Sequence, residues 1–348
     1  MDAQALQRVK ECLNQTGTTR EDIHEALEWF GKKRVLLVGD LIIDIYTQCT
    51  AIGKTAKTPT LSVKKGPSSY YWGGSSLIAN NLLAMGGTVS FVAVTGDDWG
   101  HEYFLKKKNE RLISKFFKDQ SRPTTVKERY WVDGYKLLQV DTVDNSDIPQ
   151  ALENEIFGYL EAAVSQHDLL LIADNRHGTM THSLIGMVKN LSQRKKIPLI
   201  VDTQVSSRWG NLEEYENVSI LCINENEARF FLRDEKATID EIRRQLVEIL
   251  KPERLLLKLK EKGMVGWDRE KGNFCFPAIP VKAVDPIGAG DAFLSAAALS
   301  FDPKIKLTSS MYLASCAGAI AVTKMGTDPS SYEEVHSFAF ETLKQLEL

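Results

Sequence analysis

Residues 284–299 read Val-Asp-Pro-Ile-Gly-Ala-Gly-Asp-Ala-Phe-Leu-Ser-Ala-Ala-Ala-Leu, and the interpretation of the whole chain begins from them. Asp285 and Pro286 favour a turn, because proline disfavours helix in the residue before it. Strong helix formers follow from Ala292 onward. The intervening Gly-Ala-Gly-Asp therefore predicts the start of a buried helix.

The predicted helix start has the chemistry of a phosphate site. A helix N-terminus directs unpaired N–H groups outward, and Gly288 and Gly290 carry no Cβ to keep a ligand off the backbone. Asp291 falls in the first turn, where a carboxylate repels phosphate unless it has another task. Accepting a proton from an attacking hydroxyl is such a task. The alternative is an Asp-capped, alanine-rich core helix.

Composition excludes several classes of protein. The 348 residues carry a net charge of −3, which gives no reason to expect nucleic acid or an anionic membrane as partner. The five cysteines lack Cys-x-x-Cys spacing, and no apolar run approaches the ~20 residues of a membrane helix. The N-terminus lacks the apolar core of a signal peptide. We expect a cytoplasmic protein with reduced thiols.

An apolar run at residues 34–39 is typical of a strand buried on both faces of a parallel sheet. Residues 1–30 before it predict a helical extension. Asp40 and Asp44 follow at the carboxyl end of the strand, where open α/β sheets bind ligands. Two carboxylates can accept hydrogen bonds from several sugar hydroxyls, although a solvated turn explains them equally well.

Two segments, about 46–72 and 122–145, are rich in β-branched and aromatic residues and lack a helical period. They predict the strands of a small lid, with a hairpin at Asp133-Gly134. Lys54 and Lys57 are candidates for a substrate phosphate, although exposed lysines are usually only solvated.

From residue 150 onward helices and strands alternate, which predicts a parallel sheet with helices on both faces. Asn224 and Glu227 follow the predicted strand 218–223. An amide and a carboxylate suit Mg²⁺, which prefers oxygen ligands and keeps several waters. The alternative is an acidic N-cap of the next helix.

In order and spacing, these motifs resemble the PfkB (ribokinase-like) carbohydrate kinases over about residues 34–330. The Gly-Ala-Gly-Asp stretch is similar to the C-terminal signature of that family. Residues 73–100, a glycine pair, an alanine-containing helix and a strand followed by Gly-Asp-Asp-Trp-Gly, are similar to its first signature. The resemblance implies a doubly wound, mostly parallel sheet with a small β-strand lid, in a kinase domain of residues 31–348.

The resemblance also implies the reaction and the roles of its residues. The γ-phosphoryl group of ATP would pass to a sugar hydroxyl, with Asp291 as base and the N–H groups of Gly288, Ala289 and Gly290 around the phosphoryl group. The residues that the resemblance implies for the sugar are Asp40, Asp44, Gly73 and Gly74. Those that it implies for nucleotide and metal are Asn224, Glu227 and Asp285. Asn224 and Glu227 would hold Mg²⁺ through water.

The Gly-Asp-x-x-x-Asp form at 39–44 and the lid hairpin look most like kinases of D-glycero-D-manno-heptose 7-phosphate, which act at the anomeric hydroxyl. Leu77 stands where many members have Asn, and residues 174–178 differ from that branch. Another sugar or sugar phosphate therefore stays open. Lids of this kind often pair between subunits and cover open strand edges, so we expect a homodimer.

Three residues depart from the family pattern on the nucleotide side. Lys258 and Lys260 replace Thr and the first Gly of Val-Thr-x-Gly-x-x-Gly, and Pro286 replaces a Thr. Lysines favour nucleotide phosphates, whereas a missing glycine alters a loop. A non-catalytic sugar or nucleotide sensor is therefore an alternative. A dinucleotide oxidoreductase is disfavoured, because Phe293 replaces the last glycine of Gly-x-Gly-x-x-Gly.

Overall fold

A large mixed sheet passes through the middle of the protein. The computed structural model describes residues 3–204, 212–302 and 304–348, and within them this sheet has nine strands. In spatial order they are β13 (Gly272–Phe276), β12 (Met264–Asp268), β11 (Arg254–Lys258), β10 (Ile220–Asn224), β9 (Leu199–Thr203), β8 (Leu169–Asp174), β1 (Arg34–Gly39), β4 (Thr88–Thr95) and β5 (Leu112–Lys118). Neighbouring strands are parallel from β11 to β5, and β12 and β13 are antiparallel additions.

Helices cover both faces of this sheet. Strand β1 shows why, since successive side chains point to opposite faces: Val35 and Leu37 pack into one core, Leu36 and Val38 into the other. The helices are α1 (Ala3–Gln15), α2 (Arg20–Glu28), α3 (Ser75–Ala84), α4 (Trp99–Leu105), α5 (Gln150–Ala163), α6 (His182–Lys195), α7 (Glu225–Leu232), α8 (Ile239–Leu250), α9 (Ala289–Leu299), α10 (Leu307–Ala321) and α11 (Tyr332–Gln345). The predicted doubly wound α/β class is confirmed.

The predicted N-terminal extension contains α1 and α2, and its first two residues lie outside the described ones. Thr19 caps α2, and its side chain accepts a hydrogen bond from the N–H of Asp22. Leu13 and Leu27 are buried in the same core as α9, α10 and α11. These helices therefore complete one face of the core and are more than a surface addition. No helix of the described residues is long and apolar enough to cross a membrane.

A separate four-stranded sheet forms the lid. Its order is β3 (Leu61–Gly74), β2 (Leu41–Lys54), β6 (Thr125–Val132) and β7 (Tyr135–Thr142). Asp133 and Gly134 both have positive φ, 49° and 79°, as a two-residue hairpin turn requires. Because only Asp40 separates the end of β1 from the start of β2, the lid continues directly from the central sheet.

Candidate active site

The carboxyl ends of the parallel strands, the inner face of the lid and the start of α9 meet in one region. This is the edge at which open α/β sheets bind ligands. Most of the residues that the sequence singled out lie here, but their tasks divide into two kinds. Some face the region between lid and sheet, and others hold the surrounding backbone in place.

Helix α9 begins where the sequence predicts. Gly288 precedes it with φ of 84°, a left-handed conformation that favours glycine, and the helix runs from Ala289. A Cβ on Gly288 would lie 3.1 Å from Leu77 Cδ2, so the leucine found in place of Asn packs directly beneath this turn. The first N–H groups of α9 lack intrahelical acceptors and can hold an anion.

Asp291 lies in the first turn of α9 and is half-buried. Burial raises the pKa of its carboxyl to about 7; the charges of Asp202 and Asp44 act in the same direction, and Lys258 opposes them. A carboxyl with a pKa near 7 is half ionised at neutral pH and is suited to accept a proton. The interaction with Asp44 also shows that the lid brings its carboxylate towards this helix start.

Asp285 holds the main chain that leads into α9. Its carboxylate is buried and accepts hydrogen bonds from the main-chain N–H groups of Ile287, at 3.0 Å, and Gly326, at 3.3 Å. These bonds shape the turn that leads into α9. Asp285 is therefore a positioning residue for the predicted anion site, and its contacts do not assign it to nucleotide or metal.

Asp40 likewise holds backbone. Its Oδ2 accepts from the N–H groups of Asn175, at 2.9 Å, and His177, at 3.1 Å, and its Oδ1 accepts from Thr179 at 3.1 Å. The side chain is only 2% exposed. Both oxygens are thus engaged by the loop after β8, so Asp40 positions that loop, and its contact with sugar stays a prediction.

Asp44 remains a candidate for sugar binding. It is buried within β2, where its carboxylate pairs with the guanidinium of Arg129 on the neighbouring strand β6. Gly73 lies against the same carboxylate, and a Cβ there would collide with it. Gly74 has φ of 53°, and a Cβ on it would lie 2.9 Å from Asn175 Nδ2. The glycine pair therefore gives Asp44 and the loop after β8 the space they occupy.

The inner face of the lid carries two cations that the sequence reading missed. Asp44 pairs in register with Lys127, and Tyr46 with Arg129, so these four side chains share one face. Lys127 is partly buried, and burial lowers its pKa although Asp44 opposes this. The Nε of Arg129 and the hydroxyl of Tyr46 are buried without a hydrogen-bond partner. By contrast, the predicted candidates Lys54 and Lys57 are exposed at the far end of the hairpin between β2 and β3.

Asn224 and Glu227 form a reciprocal cap at the start of α7. Asn224 Oδ1 accepts from the N–H of Glu227 at 3.0 Å, and Glu227 Oε2 accepts from the N–H of Asn224 at 2.8 Å. The two residues therefore form the N-cap of the next helix, which is the alternative that the sequence left open. Burial raises the pKa of Glu227, with Asp202 adding to the rise and Lys258 opposing it. Within the described residues no group of three His, Cys, Asp or Glu side chains could hold a metal directly.

Lys258 ends β11, and its Cα pairs in register with Asn224. Its Nζ lies 2.8 Å from Oδ1 of Asp202, at the end of β9. A Cβ on Gly290 would lie 3.5 Å from the same Nζ, so the lysine reaches the first turn of α9. Asp202 was not singled out from the sequence, although a carboxylate at the end of a buried strand is the signal that drew attention to Asp40. Lys260 is exposed and adopts φ of 55°, the left-handed conformation expected of the glycine it replaces.

The chain matches the description "pfkB family carbohydrate kinase" over residues 32–334. Similar curated proteins include the Bifunctional protein HldE of Nitratiruptor sp., 25% identical over 316 residues, and that of Geobacter metallireducens, 28% identical over 306 residues. The alignments cover 88% and 86% of this chain but 65% and 61% of those proteins. The chain therefore spans less than two thirds of the length of these relatives.

Several solved structures share the fold. Phosphofructokinase-2 from Escherichia coli in complex with substrates and products has a TM-score of 0.71 at 18% identity, covering 89% of this chain and 99% of that one. Ribokinase from Giardia lamblia has a TM-score of 0.71 at 17% identity, with 88% and 99% covered. Arabidopsis thaliana ribokinase, complexed with ribose and ATP, has a TM-score of 0.67 at 18% identity, with 88% and 98% covered. At these identities the likeness concerns the fold.

Proposed function

Because the chain belongs to the pfkB family of carbohydrate kinases, a family of phosphotransferases with a hydroxyl acceptor, we propose that it transfers the γ-phosphoryl group of ATP to a sugar phosphate. The favoured acceptor is the anomeric hydroxyl of D-glycero-D-manno-heptose 7-phosphate. The observation that carries the proposal is the position of Asp291, in the first turn of α9 and within electrostatic reach of Asp44 of the lid.

The proposed step is an in-line displacement. The sugar hydroxyl gives its proton to the Asp291 carboxylate as its oxygen bonds to the γ-phosphorus, and the bond from that phosphorus to the β–γ bridging oxygen breaks to release ADP. The N–H groups of Gly288, Ala289 and Gly290 would stabilise the phosphoryl oxygens. Such a reaction depends on positioning and charge stabilisation more than on covalent chemistry of the protein.

Mg²⁺ fits the oxygen donors at the ends of β9 and β10. Asn224, Glu227 and Asp202 supply one amide and two carboxylates, and Mg²⁺ commonly keeps most of its waters. We propose that these residues hold the ion through water. When bound, the ion would offset the negative charge of the nucleotide phosphates.

The lid supports a phosphorylated sugar over a neutral one. Lys127 and Arg129 lie on its inner face beside Asp44, and the Nε of Arg129 is buried without a partner. A guanidinium and an ammonium suit a phosphate, and Asp44 suits hydroxyls. The HldE relatives, which combine heptose kinase and adenylyltransferase, favour heptose as that sugar.

We also propose that the protein forms a homodimer through the lid. Its proposed location is the cytoplasm, where ATP is available. The lid face opposite Asp44 exposes Tyr70, Leu138 and Val140, which are 51%, 54% and 47% accessible, and β3 and β7 are its open edges. A second copy would cover both features. Light scattering should give twice the chain mass, and Leu138→Lys should give the monomer; a monomeric wild type at micromolar concentration would exclude the dimer.

The function is tested by ADP release across a panel of heptose 7-phosphate, fructose 6-phosphate and ribose, with Asp291→Asn as the blank. Turnover on heptose 7-phosphate, with a new anomeric phosphate in the ³¹P spectrum, supports the proposal. Turnover on fructose 6-phosphate or ribose alone would make that sugar the substrate in place of heptose 7-phosphate. Binding without any turnover would favour the sensor, the alternative raised by Lys258, Lys260 and Pro286.

A further inference from the structure

Lys258 is a cation placed at the positive end of a helix. Its Nζ approaches Gly290, the second residue of α9, with 3.5 Å to the position of a Cβ there. A helix N-terminus carries partial positive charge, so a neighbouring ammonium is unfavourable by sign unless an anion lies between them. The ammonium and the first N–H groups of α9 are therefore close enough to contact one bound anion together.

The ammonium of Lys258 is paired but not enclosed by its partner alone. Its Nζ lies 2.8 Å from Oδ1 of Asp202. Its side chain is 17% exposed, so it is enclosed and still reachable by a ligand. An ammonium has three donors, so Lys258 can contact a ligand while it keeps its ion pair with Asp202.

A purely structural role for Lys258 is the alternative. In that case its ammonium would only neutralise Asp202, 2.8 Å away. The ion pair accounts for the contact with β9 but leaves the approach to Gly290 without a purpose.

We propose that Lys258 contacts the transferring phosphoryl group of ATP and stabilises its charge together with the N–H groups at the start of α9. This inference rests on the proposed kinase function. Lys258 keeps its proton during the step; the phosphorus exchanges the oxygen of ADP for that of the sugar, and Asp291 takes the hydroxyl proton. Lys258 is thus a catalytic residue, and Asp202 is a positioning residue for it.

The test compares Lys258→Met, which keeps the length and removes the charge, with Lys258→Arg and with Lys260→Met. Lys260 is two residues away and exposed, which makes it a matched control. Calorimetry measures the affinities for AMP-PNP and ADP, each with Mg²⁺. The ratio of the two affinities reports on the γ-phosphate, which a merely structural ion pair would leave unchanged.

We expect Lys258→Met to lose roughly tenfold or more in affinity for AMP-PNP relative to ADP, and kcat to fall by about 10²-fold to 10³-fold. Lys258→Arg should recover part of both, and Lys260→Met should match the wild type. An unchanged affinity ratio and kcat in Lys258→Met, with normal wild-type turnover, would overturn this inference alone.

Two further outcomes would be distinguished from a failure of the role proposed for Lys258. If Lys258→Met fails to fold, Lys258→Gln removes the charge but keeps a polar group beside Asp202, and the affinity ratio is measured on that variant. If the wild type binds AMP-PNP and ADP but turns over no sugar, the proposed function fails while the affinity ratio still tests Lys258. A wild type that binds neither nucleotide overturns both.

Discussion

Oδ1 of Asp40 accepts a hydrogen bond from the main-chain N–H of Thr179 at 3.1 Å, which ties the junction between β1 and the lid to the loop after β8. Two further N–H groups of that loop donate to Oδ2 of the same carboxylate. The loop borders Gly74, so the carboxylate fixes one wall of the candidate sugar site.

Asp40→Ala should therefore act on stability. Removing the acceptor leaves three buried N–H groups without their partner, and we expect a loss of about 3 kcal/mol in the free energy of unfolding. Urea denaturation measures it. The control is Asp97→Ala, which removes an exposed ion pair with Lys118 and should cost less than about 1 kcal/mol. Equal effects of the two variants would contradict the role given to Asp40.

Asp291 should govern the pH dependence of turnover. The base must be ionised, so kcat should rise as the pH increases through the value of about 7 to which burial raises its pKa. Asp291→Asn should lower kcat by about 10²-fold to 10⁴-fold while nucleotide affinity is largely kept. Stopped-flow assays that isolate the chemical step give the profile. Near-normal turnover in the Asn variant would rule out Asp291 as the base.

The same raised pKa has an effect of known sign on stability. The native state binds the Asp291 proton more tightly than the unfolded chain, so the contribution of Asp291 to the free energy of unfolding falls as the pH rises from about 4 to about 7. Above that range Asp291→Asn should melt at the same temperature as the wild type or higher. A lower melting temperature there would show that the ionised carboxylate has stabilising partners.

The pair of Asp44 and Arg129 allows stability and binding to be separated. Arg129→Met strands a buried carboxylate and should cost about 3–5 kcal/mol, because breaking one side of a buried ion pair is strongly destabilising. Adding Asp44→Asn should restore much of that stability, since neither charge remains. Thermal melts of both single variants and the double variant measure the coupling.

Activity should not return with stability. If Asp44 and Arg129 bind the sugar phosphate, the folded double variant should keep its affinity for AMP-PNP and show a KM for the sugar raised by at least roughly tenfold. Recovery of the wild-type KM in that variant would leave the pair with a structural role alone.

The parts of this arrangement that can be predicted from the sequence are those that depend on residues adjacent in the chain. The buried strands follow from short apolar runs, and the start of α9 follows from a glycine turn before helix formers, because each depends on neighbouring residues. Asp40 and Asp44 look alike in sequence. Their tasks differ because one meets the loop after β8 and the other meets Arg129, and both partners are remote in the chain.

The cations of the lid were missed for a related reason. Lys127 faces Asp44 only because β2 and β6 pair in parallel in one particular register, and a shift by one residue would turn it to the opposite face. Lys258 was noticed as a departure from the family pattern. Its partners Asp202 and Gly290 could not be read from the sequence, since they come from a neighbouring part of the sheet and from α9.

Glu227 offers the test of the metal proposal. Glu227→Gln keeps an oxygen that can cap α7 but removes the charge, so helix capping and metal binding respond differently. We expect the Mg²⁺ concentration for half-maximal turnover to rise by roughly tenfold or more with little change in melting temperature. The matched control is Glu241→Gln, because Glu241 forms the same kind of cap at α8 and is exposed there. If EDTA abolishes turnover, and Mg²⁺ restores it at the same concentration in Glu227→Gln as in Glu241→Gln, Glu227 does not hold the ion.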